Sequence, residues 1–365
     1  MPRYDRLSEP RPWGAAERRF CISIREETVV GLRLGGVKMT GTVFGSEGGV
    51  YRIRLDSGES LEAALRGRLK QEARTGDKVV IGDRVRVSAE PDRRPTVEAV
   101  FPRRTEIVRR GPGGRRPKVV AANVDRLVVV AAAARPEPRQ ILLDRLIVIG
   151  EANHLDVTVV VNKVDLLATG GGPWGGGEVG GSKDTGAHGQ VRIRAEVGAV
   201  RRLVSLYRDV GYPVLETSAV SGEGLDGLQA VLSQGTSALV GPSGVGKSSL
   251  LNALEPGLGL KTGALSHKKG RGRHTTVSAR LIPLECGGIV ADTPGFSDVG
   301  VWGVDQRSLE ACFPDFHPFR EECQFRGCSH LHEPNCGVQA ALDRTAIDAG
   351  RFESYRSLVV ETRNS

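Results

Sequence analysis

The chain has 365 residues, 39% hydrophobic and 26% charged, with a formal net charge of +8. This length exceeds one ordinary domain and points to two or three, with the composition of a soluble globular protein. No apolar run approaches the roughly 20 residues that span a bilayer, and the charged start (Met1, Pro2, Arg3, Tyr4) has no apolar core behind it, so neither a secretory signal nor a membrane partner is expected and a cytoplasmic monomer is.

Residues 1–30 mix charges with Pro10, Pro12 and Gly14 and read as a flexible tail. Residues 31–105 read as a small β domain. Alternating stretches at 37–44 and 50–55 flank a glycine turn, and stretches at 78–81, 83–87 and 96–100 complete a set of about five short strands. That pattern suggests an OB-type barrel, a fold often used on nucleic acids. Aromatic residues are sparse here, so Arg52, Arg54, Arg66, Arg68, Lys70, Arg84 and Arg86 suggest contact with a phosphate backbone more than stacking on bases. Residues 106–118, rich in Arg, Pro and Gly, read as a linker.

From 119 to 300 buried β-branched runs alternate with helical periodicity: strands at 125–134, 156–161, 213–216 and 236–240, helices at 141–153, 197–209 and 225–232. This is a doubly wound α/β domain with a parallel sheet. The glycine-rich stretch 169–190 cannot offset its own ordering entropy and is expected to be a mobile loop. Further strands are expected at 276–284 and 288–291. From 301 to 365 aromatics and prolines appear, then a Cys/His cluster, then helix over 338–359.

The strand at 236–240 runs into Gly241, Pro242, Ser243, Gly244, Val245, Gly246, Lys247 and Ser248, and Ser249 continues into a helix. The spacing G-x-x-x-x-G-K-[ST] in a strand–loop–helix context is a phosphate-binding loop. Its glycines let backbone N–H groups converge on phosphate oxygens, and the helix N-terminus adds partial positive charge. Lys247 would reach the outer phosphates and Ser248 a Mg²⁺ ion. At the end of an earlier strand, Asn162, Lys163, Val164 and Asp165 form N-K-x-D. The Asp165 carboxylate is a double acceptor matching the N1–H and N2–H₂ donors of guanine, which adenine lacks, so the nucleotide is GTP or GDP. Asn162 would hold the loop and the N7 side of the base, and the Lys163 stem would cover the ring. Thr217, Ser218 and Ala219 follow another strand and offer backbone N–H groups to guanine O6. Asp292, Thr293, Pro294 and Gly295 form D-x-x-G, with Asp292 acting on Mg²⁺ and the Gly295 N–H on the γ-phosphate, a switch released when that phosphate is lost. Thr275 or Thr276 should also reach Mg²⁺. The base-reading motifs precede the phosphate loop, the reverse of the usual order, so the GTPase is circularly permuted.

Three of the six cysteines, Cys323, Cys328 and Cys336, lie close to His330 and His332. Three thiolates and an imidazole at these spacings form the closed set of a structural Zn²⁺ site.

The permuted order, the barrel before it and the metal knuckle after it resemble the family of ribosome small-subunit-dependent GTPases called RsgA or YjeQ, over about residues 35–340. The resemblance implies a GTPase acting late in maturation of the 30S ribosomal subunit, with low intrinsic turnover that the subunit raises. It favours His330 over His332 as the zinc ligand. The residue after D-x-x-G, where many GTPases carry a water-orienting glutamine, is Phe296, and the resemblance suggests His274 in that role. The basic clusters at 103–104, 109–110, 115–118 and 267–274 suit a polyanion such as 16S rRNA. The alternative is a GTP-regulated RNA-binding switch whose hydrolysis is incidental.

Overall fold

The computed structural model of the protein describes residues 37–67, 69, 79–90, 93–110, 117–167, 187–260, 279–292 and 306–363. The tail at 1–30, most of the glycine-rich stretch, His274, Thr275, Thr276 and Gly295 lie outside the described residues.

The first five strands are β1 (Val37–Glu47), β2 (Val50–Leu55), β3 (Ser60–Leu65), β4 (Arg84–Ala89) and β5 (Thr96–Val100). They run in the order β1-β2-β3-β5-β4, and a β1–β4 pairing closes the barrel. Alternation puts Val43, Ile53, Leu55, Ala63, Val85, Val87 and Val97 inside. One predicted strand is misplaced. Residues 79–81 make a buried turn, and the missing strand is Ser60–Leu65. The turn wins because the Asp83 carboxylate accepts from the Val80 N–H at 2.8 Å, the Asp83 N–H donates back to the Val80 carbonyl at 3.3 Å, and Gly82 has φ +84°. Residues 106–118 also differ from a bare linker. Strand β6 (Glu106–Arg110) opens it and pairs antiparallel with β7 (Pro117–Ala122), which begins at its end.

The second unit is built on β8 (Arg126–Ala132), β9 (Asp156–Asn162), β10 (Val214–Thr217), β11 (Thr236–Val240), β12 (Arg280–Pro283) and β13 (Ile289–Asp292). The order is β10-β9-β8-β11-β13-β12. All neighbours are parallel except β12, which runs antiparallel to β13. Leu127, Val129 and Ala131 of β8 enter one core while Val128, Val130 and Ala132 enter another. Both faces are therefore covered, which explains the unbroken apolar run. The helices are α1 (Gln140–Ala152), α2 (Ala187–Val210), α3 (Leu225–Leu232) and α4 (Lys247–Leu254). Helix α2 starts ten residues before the predicted 197, so the last residues of the predicted mobile stretch, 187–190, are helical.

The C-terminal unit contains α5 (Gln306–Ala311), α6 (His317–Arg320), α7 (Gly337–Asp343) and α8 (Ala349–Arg363). It is fastened to α1 by a buried ion network. Arg351 on α8 and Asp144 on α1 are both 0% exposed. Arg351 Nη1 donates to Asp144 Oδ1 at 2.8 Å and Nη2 to Asp315 Oδ1 at 2.5 Å. The Tyr207 hydroxyl of α2 donates to Asp144 at 2.8 Å. Burial alone pushes the Asp144 carboxyl up, and Arg351 opposes that shift. Removing the cation leaves two carboxylates without their shared partner. Arg351→Ala is therefore expected to cost about 3–5 kcal/mol, read as a lower urea midpoint; a loss under about 1 kcal/mol would show the network to be dispensable.

Candidate functional site

The carboxyl ends of β8, β9, β11 and β13 meet at one edge of the sheet, where open α/β sheets bind ligands. The phosphate loop leaves β11, in the middle of that edge. Gly241, Gly244 and Gly246 have φ of +147°, +83° and +98°, a backbone course that side-chain-bearing residues resist. A Cβ on Gly241 would lie 2.1 Å from the Val130 carbonyl oxygen, and one on Gly246 would lie 2.3 Å from Asn162 Nδ2. The glycines are thus demanded by close packing as well as by the turn.

Asn162 ends β9 and is 1% exposed. Its Nδ2 donates to the Val245 carbonyl at 2.8 Å, and its Oδ1 accepts from Thr217 Oγ1 at 3.3 Å. Lys163, at φ +66°, donates through Nζ to the carbonyls of Arg135 (2.5 Å) and Gly244 (2.6 Å). Asp165 accepts from Ser218 Oγ at 2.6 Å. The predicted motifs around Asn162, Thr217 and Gly241 therefore converge on one mouth. Pro242, Ser243, Ser248 and Ser249 belong to the same loop and the first turn of α4.

Lys247 is 7% exposed, with Nζ donating to the carbonyls of Gly241 (2.7 Å) and Pro242 (3.0 Å). Burial lowers its pKa to about 8, against a smaller raising effect of Asp292. Asp292 ends β13 and is pushed upward by burial, with Arg280 pulling the other way. Its Oδ2 lies 3.3 Å from Arg280 Nε, and its buried Oδ1 has no partner among the described residues. A buried acceptor left open beside the phosphate loop suits the hydration shell of a hard cation. Arg280 belongs to no motif, and only strand register could have revealed it.

The second cluster lies in the C-terminal unit. Cys323, Cys328, His330 and Cys336 offer four ligating atoms, all within 4.8 Å of one another. His330 Nδ1 is 3.6 Å from Cys323 Sγ and 3.3 Å from Cys336 Sγ, and the two sulfurs are 3.8 Å apart. Tetrahedral Zn–S and Zn–N bonds imply ligand separations of about 3.3–3.8 Å, so the donor set fits such an ion. Burial pushes the Cys328 thiol up to about 12 and raises Cys336 as well. A coordinated cation reverses that preference. The other ring nitrogen of His330, Nε2, faces Glu310 Oε1 at 3.5 Å. Glu310, twenty residues upstream on α5, is the carboxylate beside that nitrogen, and the Cys/His spacing does not disclose it.

Residues 100–171 and 192–302 match the RsgA GTPase family. A "Small ribosomal subunit biogenesis GTPase RsgA" from Gemmatimonas aurantiaca is 42% identical over 325 residues, which cover 87% of this chain and 96% of that protein. The chain belongs to the RsgA GTPase family. It is a GTP-hydrolysing enzyme with a circularly permuted fold. The RsgA of Caldanaerobacter subterraneus subsp. tengcongensis is 34% identical, over 89% of this chain and 96% of its own. Among solved structures, YjeQ from Thermotoga maritima matches with a TM-score of 0.68 and 28% identity, covering 90% of this chain and all of that one. YloQ, described as a circularly permuted GTPase, matches with a TM-score of 0.63 and 27% identity, covering 90% and 96%. Among the described residues no helix is long and apolar enough to cross a membrane.

The desolvated Lys247 predicts a stability cost. Its folded pKa, about 8, lies below the ordinary lysine value of about 10.4. The unfolded chain therefore binds more protons between these values, so the penalty is full below about pH 8 and fades as pH rises to about 10. Lys247→Met should stabilise the protein without nucleotide by about 1–3 kcal/mol at pH 7, with the gain shrinking above pH 8 in urea unfolding; a destabilised variant would contradict it.

Proposed function

We propose that this RsgA-family GTPase binds the small (30S) ribosomal subunit, acts in its late maturation, and hydrolyses GTP when the subunit stimulates it. The observation that carries this reading is the meeting of Asn162 and Lys163 with the Gly241–Ser248 loop in permuted order. The relatives named for small-subunit biogenesis support it.

In this reading Asp165 accepts from guanine N1–H and N2–H₂. Ser218, which already donates to the carboxylate, holds it in place. The Ala219 N–H would serve guanine O6, in a loop that Ser218 braces by donating its own N–H to the Glu223 carbonyl, and the Lys163 stem would cover the ring. The backbone from Gly241 to Ser249 holds the phosphates. Ser248 and Asp292, with Thr275 or Thr276, would hold Mg²⁺, which supplies charge neutralisation at the phosphates. Hydrolysis is in-line attack of water on the γ-phosphorus. Water's oxygen forms the new bond, the bond to the bridging oxygen breaks, and GDP leaves with phosphate. Lys247 and the loop N–H groups stabilise the developing charge, the Gly295 N–H contacts the γ-phosphate, and His274 orients the water. Cys323, Cys328, His330 and Cys336 would hold one structural Zn²⁺ that fixes the knuckle. The barrel and the zinc unit contact 16S rRNA, and the protein works as a cytoplasmic monomer.

GTP turnover measured with and without purified 30S subunits, over a series of salt concentrations, tests this reading. Stimulation that falls steeply with salt is expected, because phosphate contacts release counterions; a rate indifferent to the subunit would overturn it. Asp165→Asn should lose about 10–100-fold in GTP affinity, since the amide presents a donor where the base also presents one. Equilibrium titration with GTP and ATP checks this, and retained GTP preference would count against the base assignment.

A further inference from the structure

Strand β12 connects the nucleotide edge to the barrel. Register pairs Asp292 with Arg280, Arg280 with Gly45, Gly45 with Arg52 and Arg52 with Glu62. Residues directly opposite on neighbouring strands share a face. One row of side chains therefore runs from Asp292 to the third barrel strand. Its middle position is a glycine. A Cβ on Gly45 would lie 3.1 Å from Arg52 Nη2, so the bare backbone lets the Arg52 guanidinium lie across β1.

The row borders a cleft of about 320 Å³ between β3 and β12. Leu61, Ile282 and Pro283 contribute apolar surface, and Arg52, Arg54 and Arg280 contribute three cations. The acid in the cleft, Glu62, is engaged by Arg94 at 3.3 Å. Pairing shifts between Val43 and Gly45, so Phe44 sits at a β-bulge, a device that re-aims a side chain. Phe44 lines the cleft, with the Arg54 guanidinium 5.8 Å from its ring centroid. The volume is at the small end of ligand sites, which run roughly 300–1,000 Å³. An aromatic ring, an apolar wall and a cationic rim are the parts of a single-stranded nucleic-acid site, where the base stacks and the phosphate meets arginine.

We propose that this cleft takes one unpaired nucleotide of single-stranded RNA, and that Arg280 links its filling to the nucleotide edge by choosing between the RNA phosphate and Asp292. Arg280 has one guanidinium and two possible anions. When Asp292 turns to a hydrated Mg²⁺, Arg280 is released to the cleft. When RNA phosphate captures Arg280, Asp292 is freed for the cation. Such coupling is reciprocal. The proposal rests on the RNA-binding reading above and adds to it a defined pocket and a route between the two sites.

The test is fluorescence anisotropy of labelled hexa-adenylate RNA on the full-length protein. Ser60→Trp, which fills the cleft without changing charge, and Arg52→Gln should each weaken binding about tenfold. Neither residue belongs to the GTP site, so basal hydrolysis and thermal unfolding should stay at the parent values. Mg·GDP should raise the RNA affinity of the parent by about fivefold, and Arg280→Gln should abolish that difference; a fall in affinity would overturn the link. Parent-like RNA binding by both cleft variants overturns the site, as does displacement of the RNA by equimolar inorganic phosphate. A nucleotide effect that survives in Arg280→Gln overturns the link. If 30S subunits still stimulate hydrolysis while the cleft variants bind normally, the cleft fails alone. If stimulation is absent but the cleft variants lose RNA, the ribosomal reading fails alone.

Discussion

The hydrogen bond from Asn162 Nδ2 to the Val245 carbonyl, 2.8 Å long, is the joint on which the site depends. The two residues are separated by 83 positions in the chain, one at the end of β9 and the other in the loop after β11. Covalent continuity does nothing to hold the end of β9 against the Gly241–Ser248 loop, so side chains have to. Asn162 is buried and its amide is satisfied on both sides, by Val245 and by Thr217. Lys163 repeats the tie from the next position, through the Gly244 carbonyl. Gly246 completes the joint by leaving space for the Asn162 amide. Loss of any one contact would let the two halves of the site drift, and a displacement of about 1 Å is costly for positioned chemistry.

The permutation decides which unit follows Asp292 in the chain. Asp292 ends β13, and the described chain resumes at Gln306 in the unit held to α1 by Arg351. On its other flank, β12 bonds to the first barrel strand at Gly45. The strand carrying Asp292 is thus one strand from the barrel, and the described chain after it enters the unit that carries the Cys/His cluster. The second of these follows from the permuted order, which makes β13 the last strand of its sheet. The permutation therefore gives the C-terminal unit mechanical access to the nucleotide edge.

Much of this was legible because the motifs are local. Gly241–Ser248, Asn162–Asp165 and the Cys323–Cys336 spacing each occupy a few consecutive positions, and their backbone demands are written in glycines and strand ends. The buried strands of the GTPase unit were legible for a similar reason: a sheet covered on both faces leaves unbroken β-branched runs. The barrel was less so. Ser60–Leu65 carries two alanines and a glutamate and gives little periodic signal, while Val79–Val80–Ile81 gives a strong one and is drawn into a turn by Asp83. Arg280 and Glu310 were invisible for a different reason. Each matters through a partner fixed by tertiary register, Asp292 in one case and His330 in the other, and no local pattern encodes that.

The charges at the nucleotide edge are arranged against their own stability. Lys247 and Asp292 are both buried enough to be pushed toward neutrality. Each has a partner that only partly compensates: backbone carbonyls for Lys247, and Arg280 at 3.3 Å on one oxygen of Asp292. A fully paired lysine–aspartate bridge would be more stable alone and less able to accept phosphate and cation. Leaving both groups underpaired reserves their interaction energy for the ligand, whose binding then repairs the desolvation already incurred. By that logic Arg280 is the one compensating charge with an alternative place to go. A lysine there could neutralise Asp292 but could not also present the planar fork that holds a phosphate across the barrel cleft.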